Sequence, residues 1–252
     1  MPAGRRYAGV TMTNPQDVQL VETAKARDAA PQAVLPTPAA GGEITVVHLL
    51  RHGEVHNPDG VLYGRLPGFH LSEDGRLMAK AAARALSTRA ITRVVSSPLD
   101  RAQETAEPLA GALGLPVATD RRLIEPANHF EGMTFGVGDG ALHHPRHWPY
   151  LYNPLRPSWG EPYRDVAKRM LLAAGAARDA ARGQEAVCVS HQLPIWIARR
   201  AAEHRTLAHR PDRRQCALAS VTSFVYRGNR LTQVTYAEPA GRVGRRPQIS
   251  GA

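Results

Sequence analysis

The hydrophobic pattern along the chain alternates between short apolar runs and longer stretches with helical spacing. The runs over 44–50 and 186–190 are almost continuously apolar, which is typical of strands buried on both faces. Further strands are predicted over 91–96, at an edge of the sheet over 116–119, and in a closing hairpin whose arms, 221–227 and 230–237, are joined by a Gly-Asn turn.

Helices are predicted between these strands. Ser72 is suited to cap the first one, because its hydroxyl can accept from a free backbone amide and because Glu73 and Asp74 then fall in the first turn. Further helices are predicted over 98–113, with Pro98 in the first turn, over 163–182 and over 194–203. Strands and helices in alternation predict a three-layer α/β/α sandwich with a mostly parallel central sheet.

Two terminal segments lack a sustained hydrophobic period. Residues 1–42 are rich in proline, alanine and glycine, and residues 238–252 carry several arginines. Such compositions bury too little surface to offset chain entropy, so we expect a disordered tail over 1–42 and a flexible basic tail over 238–252. A short helix within the first tail, over 18–27, is compatible with its pattern. The predicted folded domain is therefore 43–237.

The net charge of +10 arises from 32 basic and 22 acidic residues. All but three of the basic residues are arginine, and they are scattered rather than blocked, so the charge alone does not choose between nucleic acid and anionic small molecules. No run approaches the roughly 20 apolar residues of a membrane helix, and the start lacks the apolar core of a secretory signal. Membrane and exported proteins are excluded as first interpretations.

The two cysteines, Cys188 and Cys216, show neither a C-x-x-C nor a zinc-finger spacing. We interpret them as reduced thiols of a cytoplasmic protein, with Cys188 in the core.

Basic side chains follow three of the predicted strands. Arg51 and His52 come directly after the first strand, Arg101 lies shortly after the second, and His191 follows the run over 186–190. In sheets of this kind, ligands bind beyond the carboxyl ends of the strands. Buried cations require an anionic partner, and a phosphoryl group offers several oxygens to guanidinium and imidazole N–H groups. The sequence therefore predicts a phosphoryl-binding site.

Four motifs occur in a fixed order: LLRHGE over 49–54, SSPLDRAQETA over 96–106, Leu-Ile-Glu ending at Glu125, and VSH ending at His191. In this order they resemble the histidine phosphatase superfamily, which has the phosphoglycerate-mutase-like fold, over essentially all of 43–237. Small bacterial members are the most similar. The resemblance implies that His52 is the nucleophile, with one ring nitrogen free and the other N–H held by a backbone carbonyl. It also implies that Arg51 and Arg101 hold the phosphoryl oxygens and that His191 donates to them.

The resemblance further implies a carboxylic acid that protonates the leaving alcohol and later activates water. Glu125 matches this position, and burial or the incoming dianion is expected to raise its pKa. Glu131, in Phe-Glu-Gly, is the alternative. The scheme requires neither a metal nor another cofactor.

Three positions depart from the family pattern. Asn57 lies five residues after His52, where the family has six, so the shift could move it out of the phosphate site. Gln192 stands where glycine is usual, and Gly-Glu-Pro over 160–162 replaces Gly-Glu-Ser. We assign Asn57, Arg65 and Gln192 as candidate substrate-binding residues, although Arg65 is equally compatible with a solvent-facing role.

A long proline-rich segment separates Glu125 from the next helix. It contains three histidines and four aromatic residues: His143, His144, His147, Trp148, Tyr150, Tyr152 and Trp159. A substrate lid and simple packing against the sheet are both compatible with these aromatics. Pro145 interrupts the histidine group and no cysteine is near, so no metal site is predicted.

The predicted activity is metal-independent hydrolysis of a phosphomonoester through a phosphohistidine. The predicted partner is a phosphorylated small molecule rather than nucleic acid or a membrane. The alternatives are a phosphoglycerate-type mutase and a non-catalytic module that binds a phosphorylated ligand. A short span between Glu125 and His191 speaks against the mutase, and retention of the whole catalytic set speaks against the binding module. The natural substrate and the oligomeric state are not encoded in any pattern recognised in the sequence.

Overall fold

The computed structural model describes residues 43–134 and 160–241. Its centre is a six-stranded sheet in the order β3-β2-β4-β1-β5-β6. The strands are β1 (Ile44–Arg51), β2 (Ile91–Ser96), β3 (Val117–Thr119), β4 (Glu185–Ser190), β5 (Val221–Arg227) and β6 (Arg230–Ala237). The pairs β1–β4, β2–β4 and β2–β3 are parallel, whereas β5 is antiparallel to both of its neighbours. The mostly parallel sheet that the sequence predicts is confirmed.

Within 43–134 and 160–241, four helices cover the two faces of the sheet: α1 (Glu73–Leu86), α2 (Asp100–Leu113), α3 (Tyr163–Ala180) and α4 (Gln192–Ala202). Leu50 and Val187 pack in one core with α1 and α2, while Leu49 and Cys188 pack in a second core with α3 and α4. Adjacent residues of a strand point to opposite faces. The two cores therefore lie on opposite sides of the sheet, which confirms the three-layer arrangement.

The start of α2 differs from the sequence expectation. Pro98 was expected in the first helical turn, but Leu99 is the N-cap, because its carbonyl accepts the amides of Ala102 and Gln103 at 2.9 and 3.1 Å. Pro98 follows Ser97, whose amide still belongs to the sheet through a bond to the Val189 carbonyl. Helix α3 also ends two residues earlier than expected. Both differences concern helix ends and leave the layer order intact.

The predicted cap of α1 is confirmed. The Ser72 hydroxyl accepts the amide of Gly75 at 3.0 Å, with Glu73 and Asp74 in the first turn. The loop after β1 passes so close to this turn that a Cβ on Gly53 would lie 2.4 Å from the Gly75 carbonyl oxygen. Glycine after His52 therefore allows the loop to pack directly onto the first turn of α1.

The expected tail over 1–42, its short helix over 18–27, and residues 242–252 lie outside the described residues. Ala240 is buried in the core beside α1 and α2, three residues beyond the predicted domain boundary at 237. Within the described ranges, none of the helices combines the length and apolar character needed to cross a bilayer. Both cysteines are free and buried, and burial raises the pKa of Cys188 to about 12, as suits a core thiol.

Candidate active site

The candidate site lies where three adjacent strands, β2, β4 and β1, end. Backbone bonds extend the sheet into it: the His52 amide donates to the Ser190 carbonyl at 3.0 Å, and the Ser97 amide donates to the Val189 carbonyl at 2.9 Å. Arg51, the last residue of β1, is paired in register with Ser190. The sheet therefore brings residues from distant parts of the sequence to one edge, as the strand-end pattern predicts.

His52 is almost fully buried, and its Nδ1 lies 2.7 Å from the carbonyl oxygen of Gly53. A carbonyl can only accept, so Nδ1 carries the proton and Nε2 keeps a free lone pair. Burial, followed by the charges of Arg101 and Arg51, holds the pKa of His52 well below its usual range. The imidazole is therefore neutral and has one nitrogen available for attack.

Arg51 and Arg101 are buried guanidinium groups whose Nε atoms have no hydrogen-bond partner among the described residues. Arg51 donates from Nη1 to the Cys216 carbonyl at 2.7 Å, and Arg101 donates from Nη2 to the Gly64 carbonyl at 2.6 Å. Within the same residues, neither group has a carboxylate partner in an ion pair. Unpaired buried charge is costly, so this pocket is prepared for an anion.

His191, directly after β4, faces the same pocket. Its ring centroid lies 5.1 Å from that of His52, and its Nε2 is 2.8 Å from the Ser97 hydroxyl. That hydroxyl also accepts weakly from the Leu99 amide at 3.5 Å, so its own proton is free for Nε2. In this arrangement Nδ1–H of His191 has no partner in the described part of the chain. The free N–H is available to donate to a phosphoryl oxygen.

Glu125 completes the group. Its Oε2 lies 3.8 Å from Nδ1 of His191, and burial raises the pKa of its carboxyl. Nearby arginines, Arg101 and Arg214 foremost, oppose this rise by favouring the ionised form. The alternative acid, Glu131, instead accepts the Asn128 amide at 3.1 Å and closes a turn. The geometry therefore favours Glu125 over Glu131.

The three candidate substrate-binding residues are placed differently. Arg65 donates from Nε to the backbone carbonyl of Glu125 at 2.6 Å, so it lies beside the acid. The Gln192 side chain accepts from Arg214 at 3.3 Å. The Asn57 side-chain amide donates to the Val61 carbonyl at 2.9 Å and accepts from the Val61 amide at 3.0 Å. These two bonds close a local turn. Its expected approach to the phosphate stays a prediction that this conformation does not favour.

Several contributing residues were not singled out from the sequence. Ser97 orients His191, and Thr105 links the two halves of the site by accepting the Gly53 amide while donating to the Arg101 carbonyl. Tyr63 lies under Arg101, 4.7 Å from its guanidinium carbon to the ring centroid. Ser97 and Thr105 belong to the same motif as Arg101, so they could have been identified from the sequence. No motif in the sequence identifies Tyr63.

The histidine group and the four aromatic residues between 143 and 159 lie outside the described residues. The interpretations of that segment as a lid or as packing, and of its histidines as unrelated to metal, stay predictions. Within 43–134 and 160–241, no group of three or more His, Cys, Asp or Glu side chains is arranged to hold a metal ion.

Comparison with known proteins identifies the class that these features define. The model of the histidine phosphatase superfamily, branch 1, matches residues 47–239. The chain belongs to this superfamily.

Individual relatives agree with this assignment. An uncharacterised protein of Mycobacterium tuberculosis, Rv0525, is 58% identical over 198 residues, covering 79% of this chain and 98% of its own. The probable phosphoglycerate mutase GpmB of Shigella boydii is 30% identical, covering 61% and 78%. Among solved structures, the mycobacterial glucosyl-3-phosphoglycerate phosphatase Rv2419c superposes with a TM-score of 0.62 at 28% identity, covering 77% and 97%. The chain is thus similar to phosphatases and to a probable mutase.

Proposed function

We propose that the protein is a metal-independent phosphomonoester hydrolase that works through a phosphohistidine on His52. One observation carries the proposal: a neutral, buried imidazole with a free Nε2 lies near three N–H groups, those of Arg51, Arg101 and His191, that have no partner in 43–134 and 160–241. A phosphoryl group would satisfy these donors and would present its phosphorus to the free nitrogen.

In the first step, Nε2 of His52 attacks phosphorus and the bond from phosphorus to the ester oxygen breaks. Glu125 gives its proton to the departing oxygen, so an alcohol leaves rather than an alkoxide. The raised pKa of Glu125 keeps a larger fraction of this carboxyl protonated near neutral pH. Arg51, Arg101 and His191 stabilise the charge on the phosphoryl oxygens throughout.

In the second step, water attacks the phosphohistidine and the ionised Glu125 accepts a proton from that water. The phosphorus–nitrogen bond breaks, its electron pair returns to Nε2, and inorganic phosphate leaves. The proton on Nδ1 stays on the ring in both steps, because its hydrogen bond to the Gly53 carbonyl holds the tautomer. Each catalytic group returns to its starting protonation state.

The relatives support hydrolysis as the reaction. One is named a glucosyl-3-phosphoglycerate phosphatase, and that solved structure spans nearly the whole described fold. A mutase would return the phosphoryl group to another hydroxyl instead of to water. Similarity to a relative named a probable phosphoglycerate mutase makes mutase activity the second candidate function.

The first test is hydrolysis of p-nitrophenyl phosphate in EDTA, by wild type, His52→Ala and His56→Ala. His56 is exposed, four residues from His52, and serves as the matched control for loss of a histidine. We expect metal-independent turnover in wild type and His56→Ala, and at least a ~10³-fold loss in His52→Ala. A phosphoenzyme stable in alkali and labile in acid should accumulate in rapid-quench samples of wild type only.

Three results would count against the proposal. Turnover that survives in His52→Ala would exclude the phosphohistidine, and loss of wild-type turnover on adding EDTA would exclude the metal-independent scheme. Conversion of 3-phosphoglycerate to 2-phosphoglycerate without release of phosphate would assign a mutase instead.

A further inference from the structure

Arg214 lies in the segment between α4 and β5, and this segment forms one wall of the candidate site. The carbonyl of Cys216 accepts Nη1 of Arg51 at 2.7 Å, and the amide of Ala219 donates to the carbonyl of His52 at 3.2 Å. Two residues of extended chain span at most about 7 Å. Arg214, two residues before Cys216, is therefore on the rim of the pocket and not remote from it.

The guanidinium of Arg214 is held by neutral groups. It donates from Nε to Nε2 of His209 at 2.9 Å and from Nη1 to the Gln192 side-chain oxygen at 3.3 Å. His209 is fixed as the acceptor because its Nδ1 lies 2.8 Å from the Leu207 carbonyl and must donate there. In the described part of the chain, these contacts include no carboxylate.

The other cations around Glu125 have an assigned counter-charge. Four guanidinium groups act on its carboxylate, those of Arg101, Arg214, Arg51 and Arg169. Arg169 is paired with Glu161, at 2.8 and 3.0 Å, and Arg65 shares the same carboxylate. Arg51 and Arg101 serve the phosphoryl group in the proposed function. Arg214 is half-buried, and the carboxylate that acts on it is that of Glu125, which the proposed function holds in its protonated form when the substrate binds.

We propose that Arg214, oriented by His209 and Gln192, binds a second anionic group of the substrate. The substrate class is then a phosphomonoester that carries a carboxylate or a second phosphate a few bonds from the phosphate that is hydrolysed. The inference rests on the proposed function of the neighbouring pocket. It adds that Arg214 selects which phosphomonoesters are hydrolysed. His209 is a positioning residue, since it acts on the substrate only through Arg214.

The test compares substrates that differ only in the second anion. One pair is 3-phosphoglycerate and glycerol 3-phosphate, in which a carboxylate is replaced by a neutral hydroxymethyl group. The other pair is glucose 1,6-bisphosphate and glucose 1-phosphate. The enzymes are wild type, Arg214→Met and Arg213→Met, where Arg213 is the exposed neighbour of the same charge. The measured quantity is the ratio of kcat/KM within each pair, which cancels any general effect on turnover.

We expect wild type to prefer the doubly anionic member of one pair by about 10- to 100-fold, the range of a charge-assisted hydrogen bond. Arg214→Met should bring that ratio close to one, and Arg213→Met should retain it. The pair that responds identifies the anion as carboxylate or phosphate. A wild-type ratio near one in both pairs, or a ratio that Arg214→Met leaves intact, would overturn the inference.

A binding measurement decides the question without turnover. Calorimetric titration of 3-phosphoglycerate, glycerol 3-phosphate and the two glucose phosphates into His52→Ala and into His52→Ala/Arg214→Met reports the same ratios as affinities. If p-nitrophenyl phosphate is not hydrolysed by wild type but these ratios still depend on Arg214, the proposed function fails and the anion site stands. Ratios unaffected by Arg214, with p-nitrophenyl phosphate hydrolysed, reject the anion site alone.

The positioning role of His209 has its own readout. His209→Phe removes the acceptor for Nε of Arg214 and should lower the substrate ratio, whereas His209→Gln can still accept and should restore most of it. Equal ratios in the two variants would show that His209 supports the fold but does not orient Arg214.

Discussion

Two buried polar clusters differ in how completely their charges are paired: one is built on His48 of β1 and the other on His52, which directly follows β1. In the inner cluster, His48 donates from Nε2 to Glu185 at 2.8 Å, and its Nδ1 accepts from the Ser223 hydroxyl at 2.8 Å. Arg89 binds the same glutamate through two bonds of 2.5 and 2.7 Å. Around His52, four residues further along, Nε of Arg51, Nε of Arg101 and Nδ1 of His191 have no hydrogen-bond partner within the described residues. A closed network supports the fold, whereas an open one is suited to a ligand.

The two glutamates show the same contrast in their ionisation. Burial acts to raise the pKa of Glu185, but hydrogen bonds from His48 and Arg89 outweigh it and leave the pKa below its usual value. At Glu125, burial prevails over the surrounding arginines and the pKa is raised. The same side chain is therefore a permanent anion in one cluster and is suited to exchange protons in the other.

The largest effect is expected at Glu125. Glu125→Gln cannot protonate an alkoxide, so hydrolysis of glycerol 3-phosphate should fall by about 10² to 10⁴-fold. With p-nitrophenyl phosphate, whose leaving group needs no proton, a rapid burst of nitrophenol should remain, followed by slow turnover. Stopped-flow absorbance measures both phases. An equal loss on both substrates, with no burst, would remove Glu125 from the role of acid.

The pH dependence sharpens this prediction. His52 stays neutral as the pH falls below 6.5, because its pKa is held well below that value, while Glu125 loses its proton as the pH rises through its raised pKa. Wild-type kcat/KM for glycerol 3-phosphate should therefore decline towards alkaline pH. The decline should be absent in Glu125→Gln, and its persistence there would assign the titration to another group.

The next largest effect is expected in the closed cluster. Glu185→Gln removes the buried carboxylate that binds both His48 and Arg89, so the free energy of unfolding should fall by about 3–5 kcal/mol in urea titrations. Glu203→Gln, which removes a carboxylate from ion pairs nearer the surface, is the control and should cost less than about 1 kcal/mol. Specific activity per folded molecule should be unchanged in both. A stable Glu185→Gln protein would contradict the structural role of this cluster.

A ligand should close the open cluster. Inorganic phosphate at about 100 times its Kd should raise the free energy of unfolding by about 2.7 kcal/mol, since it binds only the folded pocket. Arg101→Met should abolish this stabilisation, and the exposed Arg84→Met should keep it. Thermal unfolding with and without phosphate measures the shift. Equal stabilisation of both variants would place the bound phosphate elsewhere.

The smallest effect of a single substitution concerns stability at mildly acidic pH. The pKa values of His48, His52 and His191 are all lowered, chiefly by burial. Below about pH 6.5 the unfolded chain binds protons that the folded chain does not, so stability should fall as the pH decreases, by up to ~1.4 kcal/mol per pH unit for each histidine. His52→Gln should flatten the slope measured from pH 7.5 to 5.5. An unchanged slope would show that His52 is protonated in the fold.

Much of the fold could be predicted because its signals are local. The apolar runs of β1 and β4 and the hairpin turn appear within a few residues, and the predicted bounds agree to within one or two positions. The helix start at Asp100 was not predicted, because Leu99 becomes the cap only when Ser97 is bonded to a neighbouring strand. Helix ends depend on such non-local bonds more than strand cores do.

The residues of the candidate site also fall into those that the sequence predicts and those that it does not. Arg51, His52, Arg101, Glu125 and His191 are the residues whose places follow from strand ends and from motifs in the sequence. Arg214 could not be identified from a strand end or a motif. Its partner Gln192 is 22 residues away in sequence, and the bond that brings its segment to Arg51 joins residues 165 positions apart. Asn57 was assigned from its spacing to His52 in the family pattern, and its approach to the phosphate stays a prediction; in the structure its amide closes a turn with Val61.

The sequence by itself determined the order of strands and helices, the family and the residue types at the strand ends, because these depend on short-range patterns of polarity and on motif order. Only the tertiary structure decided which charges have partners. Glu185, in β4, and Glu125, in the loop after β3, are both buried acids, and their neighbours in sequence do not show which of them is paired. Their pKa values move in opposite directions because pairing of buried charge is set by side chains that the fold brings together from distant positions.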